Sequence, residues 1–349
     1  IPVAVLGLGQ MGLVCAAVLL DDDRIPSSSG GVPWLAPRIS MWGHAANEAA
    51  TLMQSRRSDR LPGLVLPEDV RIAMKDADAL ADAELVICAI PVQYLRGVID
   101  RLRPYLPPKT PIVSVSKGIE NGTLLRPTQV IAEALRDDPD RPARVLGALS
   151  GPTIAPELAR CLPATMVAAS EDETLRLQTQ AAFSTRWLRI YTSSDLVGVE
   201  IAGATKNVIA IAAGILDGLQ AGFNAKSALL ARGLAEIARL GTAMGASQET
   251  FFGVAGVGDL ATTCFSPEGR NRTLGEALGK GRPLDEALAQ SRHVVEGVAT
   301  TRSVVDLARK YKVDMPIVSA VHAVLFEGLD PIEAIGMLMS RQAKDERAR

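Results

Sequence analysis

"VAVLGLGQMG", Val3–Gly12, places three glycines, Gly7, Gly9 and Gly12, in the spacing G-x-G-x-x-G. A continuous apolar run precedes them, and the helical pattern "MGLVCAAVLL" follows. In a strand–turn–helix of this kind each glycine has a separate task. Gly7 permits the tight turn, Gly9 lets a pyrophosphate approach the backbone, and Gly12 lets helix and strand pack closely. The helix N-terminus then offers free N–H groups to the phosphates. The array alone is a weak signal, because glycine-rich turns also occur for structural reasons. In this context it predicts a dinucleotide site.

Outward from this unit the first half of the chain alternates. "RISMWG", "ELVICAIP", "PIVSVSKG", "RVLGALSG", "ATMVAAS" and "WLRIYT" read as strands, with helical patterns between most of them. Continuously apolar strands separated by helices predict a parallel sheet covered on both faces. Ligands in such sheets bind at the carboxyl edge, where these strands end in Gly, Pro or Ser. After Thr192 strand signals nearly vanish, and helical segments are expected over 195–217, 225–244, 270–279, 297–311 and 317–326. The expected fold is α/β. An N-terminal parallel-sheet, dinucleotide-binding domain (1–192) precedes an all-α C-terminal domain (193–349) that carries substrate and catalysis. The length of 349 residues suits about two domains. The Gly/Ser/Pro-rich stretch Asp21–Pro37 reads as a surface loop, and "KDERAR" as a frayed charged tail.

Composition narrows the function classes. A formal net charge of −2 gives no reason to expect nucleic acid or anionic lipid as a partner. Four cysteines without a C-x-x-C pair, Cys15, Cys88, Cys161 and Cys264, read as reduced core thiols. Three scattered histidines, His44, His293 and His322, do not suggest a metal site. The opening run is strand-like, not a signal peptide, so a cytoplasmic location is expected. Apolar helices in the second half suggest a homodimer.

Two places carry the chemistry. The second strand ends "MWGHAAN", and no acid appears until Glu48. An acid there would grip the ribose 2′-hydroxyl of NAD and repel a 2′-phosphate. His44 stands near that position instead, so NADP is permitted and NADPH weakly preferred over NADH. The other place is "VGVEIAGATKNVIAIAAGIL", an apolar helix interrupted by Glu200 and Lys206. Those charges, Asn207 and several small residues argue against a membrane span. Burial favours the neutral amine, and a lysine tuned towards about pH 7–8 can exchange a proton with a substrate hydroxyl. The alternative is a lysine that snorkels or pairs with Glu200. Lys117 in "SVSKGIE", Gly151, Thr153 and Ala155 in "LSGPTIAPE", and Asp259 in "GVAGVGDLATTC" follow strands or glycine runs. Arg270, Asn271 and Arg272 of "GRNR" open a helix, which suits phosphate.

Taken in order, "SKGIE", "LSGPTIAPELA", "VGVEIAGATKNVIAIAAGILDGL", "ARGLAEIARLG", "GVGDLATTC", "GRNRTLGEAL" and "VVEGVATT" resemble the motifs of NAD(P)-dependent glycerol-3-phosphate dehydrogenase, bacterial biosynthetic type. "RLPGLVLP" (Arg60–Pro67) is similar to another. The resemblance spans nearly the whole chain and implies a Rossmann-like domain followed by a helical one. It implies reversible hydride transfer between sn-glycerol 3-phosphate and NAD(P)+, giving dihydroxyacetone phosphate, with the reductive direction supplying phospholipid synthesis. By motif, Lys206 matches the proton acceptor, and Lys117 a lysine touching cofactor and substrate. Gly151, Thr153, Asp259, Arg270 and Asn271 match glycerol 3-phosphate contacts. Ala155, Arg270, Val294 and Glu296 match cofactor contacts, and His44 one near the adenosine ribose. Three departures stand out: Gln10 and Met11 in the cofactor pocket, Gly269 where a serine usually helps hold substrate, and the longer 21–37 stretch. The rival readings are a β-hydroxyacid or 6-phosphogluconate type dehydrogenase and a non-catalytic NAD(P)H sensor.

Overall fold

The computed structural model describes residues 1–21, 23, 37–137, 143–291, 294–342 and 345. Most of the Asp21–Pro37 stretch, His293 and most of the "KDERAR" tail lie outside the described residues. Among the described residues eight strands form one sheet: β1 (Pro2–Leu6), β2 (Arg38–Trp42), β3 (Arg71–Ala73), β4 (Leu85–Cys88), β5 (Ile112–Ser114), β6 (Leu146–Ser150), β7 (Ala164–Ser170) and β8 (Leu188–Ser193). Their order is β3-β2-β1-β4-β5-β6-β7-β8. The chain moves outward from β1 to β3, then crosses back to β4. Because the order reverses between β1 and β4, their carboxyl ends define the crevice where such sheets take ligands. Helices α1 (Gln10–Leu19), α2 (Ala46–Ser55), α3 (Asp76–Leu80), α4 (Val92–Leu102), α5 (Pro127–Leu135), α6 (Ala155–Ala159) and α7 (Glu173–Phe183) accompany the sheet. Two apolar clusters, one including Val3, Val5 and Leu13 and one including Ala4, Leu6 and Leu95, lie on its opposite faces. Successive residues of β1 feed them alternately, which is why that strand reads as continuously apolar.

The expected parallel sheet needs one correction. Strands β1 to β6 are parallel, but β7 pairs antiparallel with β6, and β8 runs parallel to β7. The segment between β6 and β7 holds only the five-residue α6. That is too short to carry the chain back along the sheet for a parallel return. Strand β3, of three residues, is too short to register as a pattern in the sequence.

Beyond β8 the chain is helical: α8 (Leu196–Gly218), α9 (Gly222–Ala243), α10 (Gln248–Phe252), α11 (Asp259–Phe265), α12 (Arg270–Gly279), α13 (Leu284–Ala289), α14 (Glu296–Tyr311), α15 (Pro316–Phe326) and α16 (Pro331–Met339). The short helices α10, α11, α13 and α16 are additional to those expected. Asp195 starts α8 by accepting from Gly198 N at 2.8 Å, and holds α10 through Thr250 Oγ1 at 2.6 Å. Helix α8 is long and apolar enough to cross a bilayer, but 94% of its apolar window is buried inside the protein. It is the core of the helical half. Helix α12 lies directly on it, glycine to backbone. A side chain at Gly214 would sit 1.9 Å from Arg272 O, and one at Gly275 would sit 2.0 Å from Ile211 O. The glycines recur one turn on, at Gly218 and Gly279. This seam fixes the start of α12 beside the middle of α8. Cys15, Cys88 and Cys264 are buried and burial pushes each thiol up to about 12, whereas Cys161 is exposed.

Candidate active site

Gly7, Gly9 and Gly12 behave as their spacing predicts. Gly7 takes φ +115°, and a side chain there would strike Ala89 O at 2.6 Å. One at Gly12 would lie 2.0 Å from Gly7 O, while one at Gly9 would meet nothing within 4 Å. Gly9 alone of the three thus has open space beside it, room enough for a phosphate to approach the backbone. Helix α1 begins at the next residue with no side-chain cap, so its first N–H groups are free. The residues present therefore fit a dinucleotide pyrophosphate. Gln10 Nε2 donates to Arg60 O at 2.8 Å, tying the glycine turn to the "RLPGLVLP" segment, and Met11 packs against the sheet core.

At the far side of the crevice a lysine–aspartate–lysine chain joins three elements. Lys117, just past β5, donates to Asp259 Oδ2 at 2.6 Å and to Gly151 O at 3.1 Å. Lys206, in α8, donates to Asp259 Oδ1 at 2.6 Å and to Thr263 Oγ1 at 2.6 Å. Asp259, the first residue of α11, is 1% exposed. Gly203 lies one turn before Lys206. A side chain there would come 3.1 Å from Ser150 Oγ and 3.7 Å from Lys117 Cγ. The first distance is tight and the second ordinary contact, so the glycine makes room chiefly for Ser150. Burial pulls the Lys206 ammonium down to about 8, the neighbouring Lys117 adding to the fall and Asp259 opposing it.

The alternative partner for Lys206 is excluded by geometry. Glu200 belongs to Arg126, Thr128 N (2.8 Å) and Thr128 Oγ1 (2.7 Å), a buried latch between α5 and α8. Burial raises its pKa, and Arg126 opposes the rise.

The loop before α14 completes the site. Arg270 Nη1 donates to Val294 O at 3.1 Å, and Asn271 Oδ1 accepts from Gly297 N at 2.9 Å. Among the described residues the Asn271 amide N–H₂ and the rest of the Arg270 fork have no further partner, so both can donate to a ligand. Burial raises the Glu296 pKa, while Arg270, Lys117 and Lys206 oppose the rise, which places that carboxyl within the field of all three cations. Gly151 takes φ +144°, and Thr153 and Ala155 follow on the same turn into α6. Gly269 is the residue before α12 and offers only backbone; a side chain there would crowd Thr263 O at 3.2 Å. Arg272 is not part of the site: it pairs with Asp217 and Glu276. His44 is at the other end, past β2, exposed and 3.3 Å from Arg101 Nη1.

Sequence reasoning missed Thr263 as a Lys206 partner and Arg101 as a neighbour of His44. Thr263 was findable, since four residues after Asp259 places it on the same helix face. Its hydroxyl donates to Asp259 O at 2.7 Å, so its lone pairs are left for the Lys206 ammonium.

Fold and site together define a dinucleotide-dependent oxidoreductase, with a glycine turn suited to phosphate on the sheet and a buried, aspartate-paired lysine on the helical half. The family model for the NAD-dependent glycerol-3-phosphate dehydrogenase N-terminus matches residues 2–176, and that for its C-terminus matches 195–336. A glycerol-3-phosphate dehydrogenase [NAD(P)+] of Streptomyces coelicolor is 42% identical over 345 residues, 99% of this chain and 98% of the relative. One of Mycobacterium tuberculosis is likewise 42% identical over 345 residues, with the same coverage of both chains. The crystal structure of glycerol-3-phosphate dehydrogenase from Coxiella burnetii superposes with a TM-score of 0.87 at 32% identity, covering 97% of this chain and 99% of that one. The chain belongs to the NAD-dependent glycerol-3-phosphate dehydrogenase family and is an NAD(P)-linked enzyme. That membership displaces the hydroxyacid-dehydrogenase and sensor readings.

Proposed function

We propose that this enzyme reduces dihydroxyacetone phosphate to sn-glycerol 3-phosphate, with NADPH preferred over NADH, and so supplies phospholipid synthesis in the cytoplasm. The observation that carries the mechanism is the Lys206–Asp259–Lys117 chain, with Lys206 brought to about 8. Near neutral pH that ammonium is still protonated, yet close enough to its midpoint to give the proton up. In reduction it donates to the developing C2 alkoxide; in oxidation the neutral amine takes the C2 hydroxyl proton. Asp259 balances its charge and sets its direction. Thr263 fixes the Nζ position, and Lys117 holds substrate between Asp259 and Gly151. Gly151, Thr153, Gly269, Arg270 and Asn271 receive the substrate, with the Arg270 fork and the Asn271 amide on its phosphate, so that C2 is held at reacting distance. When bound, a nicotinamide cofactor would supply the hydride in reduction and take it up in oxidation.

Gly7, Gly9, Gln10, Met11, Gly12, His44, Lys117, Ala155, Arg270, Val294 and Glu296 receive the cofactor. We assign dinucleotide binding to residues 1–192 and catalysis to 193–349. A homodimer through the helical half is supported by α16, where Ile332, Met337 and Met339 are 67%, 57% and 80% exposed.

The test is loss of absorbance at the reduced-nicotinamide band with dihydroxyacetone phosphate, NADPH against NADH, for the parent and Lys206→Met. A substrate-dependent rate, faster with NADPH, is expected. Lys206→Met should fold and lose kcat by about 10²–10⁴-fold. Near-normal turnover in that variant removes Lys206 from the mechanism.

A further inference from the structure

The carboxyl end of β2 runs beside the glycine turn. Trp42 O accepts from Gly7 N at 2.8 Å, and a side chain on Gly43 would strike Leu8 Cδ1 at 2.4 Å. His44 therefore emerges where the adenosine ribose of a bound dinucleotide lies in this fold. Among the described residues near this end of the sheet, the carboxylates of Glu48 and Asp76 are both paired. Glu48 is paired with Arg60. Asp76, at the start of α3, accepts from Trp42 Nε1 at 2.9 Å and from Arg101 Nε and Nη2 at 2.7 and 2.8 Å. The guanidinium also lies over the Trp42 ring, 5.2 Å from its centre, which fixes its plane. Its remaining nitrogen, Nη1, is 3.3 Å from His44 Nδ1.

Two consequences follow from elementary chemistry. Arginine has donors only, so His44 Nδ1 is the acceptor and the ring proton of the neutral imidazole sits on Nε2. The imidazole then presents a donor away from Arg101. Meanwhile Asp76, a carboxylate that would grip a 2′-hydroxyl or repel a 2′-phosphate, has its charge offset by a bidentate fork from Arg101.

We propose that Arg101 is the specificity-determining residue at the adenosine 2′ position, masking Asp76 and setting His44 as a donor so that a 2′-phosphate is accepted. This rests on the reading that His44 meets the adenosine ribose. Arg101 acts through its neighbours as a positioning residue. Its loss unmasks an acid, so the effect is a change of cofactor preference and not a uniform weakening.

The experiment is a steady-state comparison of NADPH and NADH in the parent, Arg101→Gln, Arg101→Lys, Arg101→Gln/Asp76→Asn and His44→Gln, with thermal melts as a control on folding. In Arg101→Gln the NADPH-to-NADH ratio of kcat/KM should fall about tenfold or more, equivalent to about 1.4 kcal/mol. The change should appear in KM for NADPH and much less in kcat. Arg101→Lys, which keeps the charge, should fall between parent and Arg101→Gln. The double variant should recover part of the NADPH loss, because the unmasked carboxylate is gone. Equal effects on both cofactors, or no recovery in the double variant, overturn the proposal. If His44→Gln raises KM for NADPH while Arg101→Gln does not, Arg101 alone is misassigned. If both are silent, the placement of the ribose at His44 fails and takes the proposal with it.

Discussion

Asp259→Asn tests the site most directly, because one atom change removes the charge that bridges two lysines. The parent carboxylate is 1% exposed and lies 2.6 Å from each ammonium nitrogen. Two unit charges about 4 Å apart interact by about 4 kcal/mol at the effective dielectric of such a site. Loss of one partner from a buried pair costs about 3–5 kcal/mol, because the remaining charge is left uncompensated. The asparagine keeps the shape and can accept from one lysine, but it turns an N–H₂ towards the other. Lys206 stands at about 8 with Asp259 beside it. Removing an opposite charge at this range lowers a lysine by about one to three units, so the midpoint should move to about pH 5–7. The sign differs between directions. Reduction needs the ammonium, so its rate falls as pH rises through the midpoint. Oxidation needs the amine, so its rate rises through the same point. Initial rates of dihydroxyacetone phosphate reduction and glycerol 3-phosphate oxidation across pH 5.5–9.5 therefore read one number twice. In the parent both limbs should lie near pH 8; in Asp259→Asn both should move to lower pH. A reduction limb that stays near pH 8 in a folded variant would refute the coupling of Asp259 to Lys206.

Three further outcomes are expected. Gly9→Ala should melt like the parent but bind NADPH more weakly in a fluorescence titration, since its methyl meets no protein atom within 4 Å and enters the phosphate's space. Gly12→Ala, whose methyl would lie 2.0 Å from Gly7 O, should lose thermal stability as well. Arg126→Met should destabilise by about 3–5 kcal/mol, because Glu200 remains buried; the loss in chemical denaturation should be larger at pH 8 than at pH 5, where the stranded carboxylate can protonate. Glu236 is 2% exposed and accepts from Ile317 N at 2.8 Å and Val318 N at 3.2 Å, and burial raises its pKa from 4.5 to about 7. A raised carboxyl stabilises fully below about pH 4.5, and that contribution, about 3 kcal/mol, is lost as pH rises through about 7. Glu236→Gln keeps an acceptor without the charge, so it should melt higher than the parent at pH 8 and not at pH 4.5. Parallel melting curves for the two across that range would contradict this.

What the sequence shows and what it hides follow the same physical line. Periodicity and glycine placement act over one or two turns of chain, so the Gly7–Gly12 unit, the strand runs and the buried Lys206 helix can be read directly. The direction of β7 cannot, because an apolar run has no sign; it depends on whether the connection before it has length enough to return. Partners across the fold are harder again. Lys206 in an apolar helix demands a counter-charge, yet Glu200, six residues earlier, and Asp259, 53 residues later, satisfy that demand equally well on paper. Only the latch of Glu200 to Arg126 decides between them. The cofactor end shows the limit most sharply. Scanning the residues after β2 for an acid finds Glu48, which Arg60 holds, and misses Asp76, which arrives from beyond β3 and meets Arg101 from α4. With the ribose placed at His44 as proposed, the charge it meets is the sum over a pair whose members lie 25 residues apart, and Arg101 reaches His44 across 57. No residue type at one position can carry that sum, so cofactor preference in this chain has to be tested on the pair.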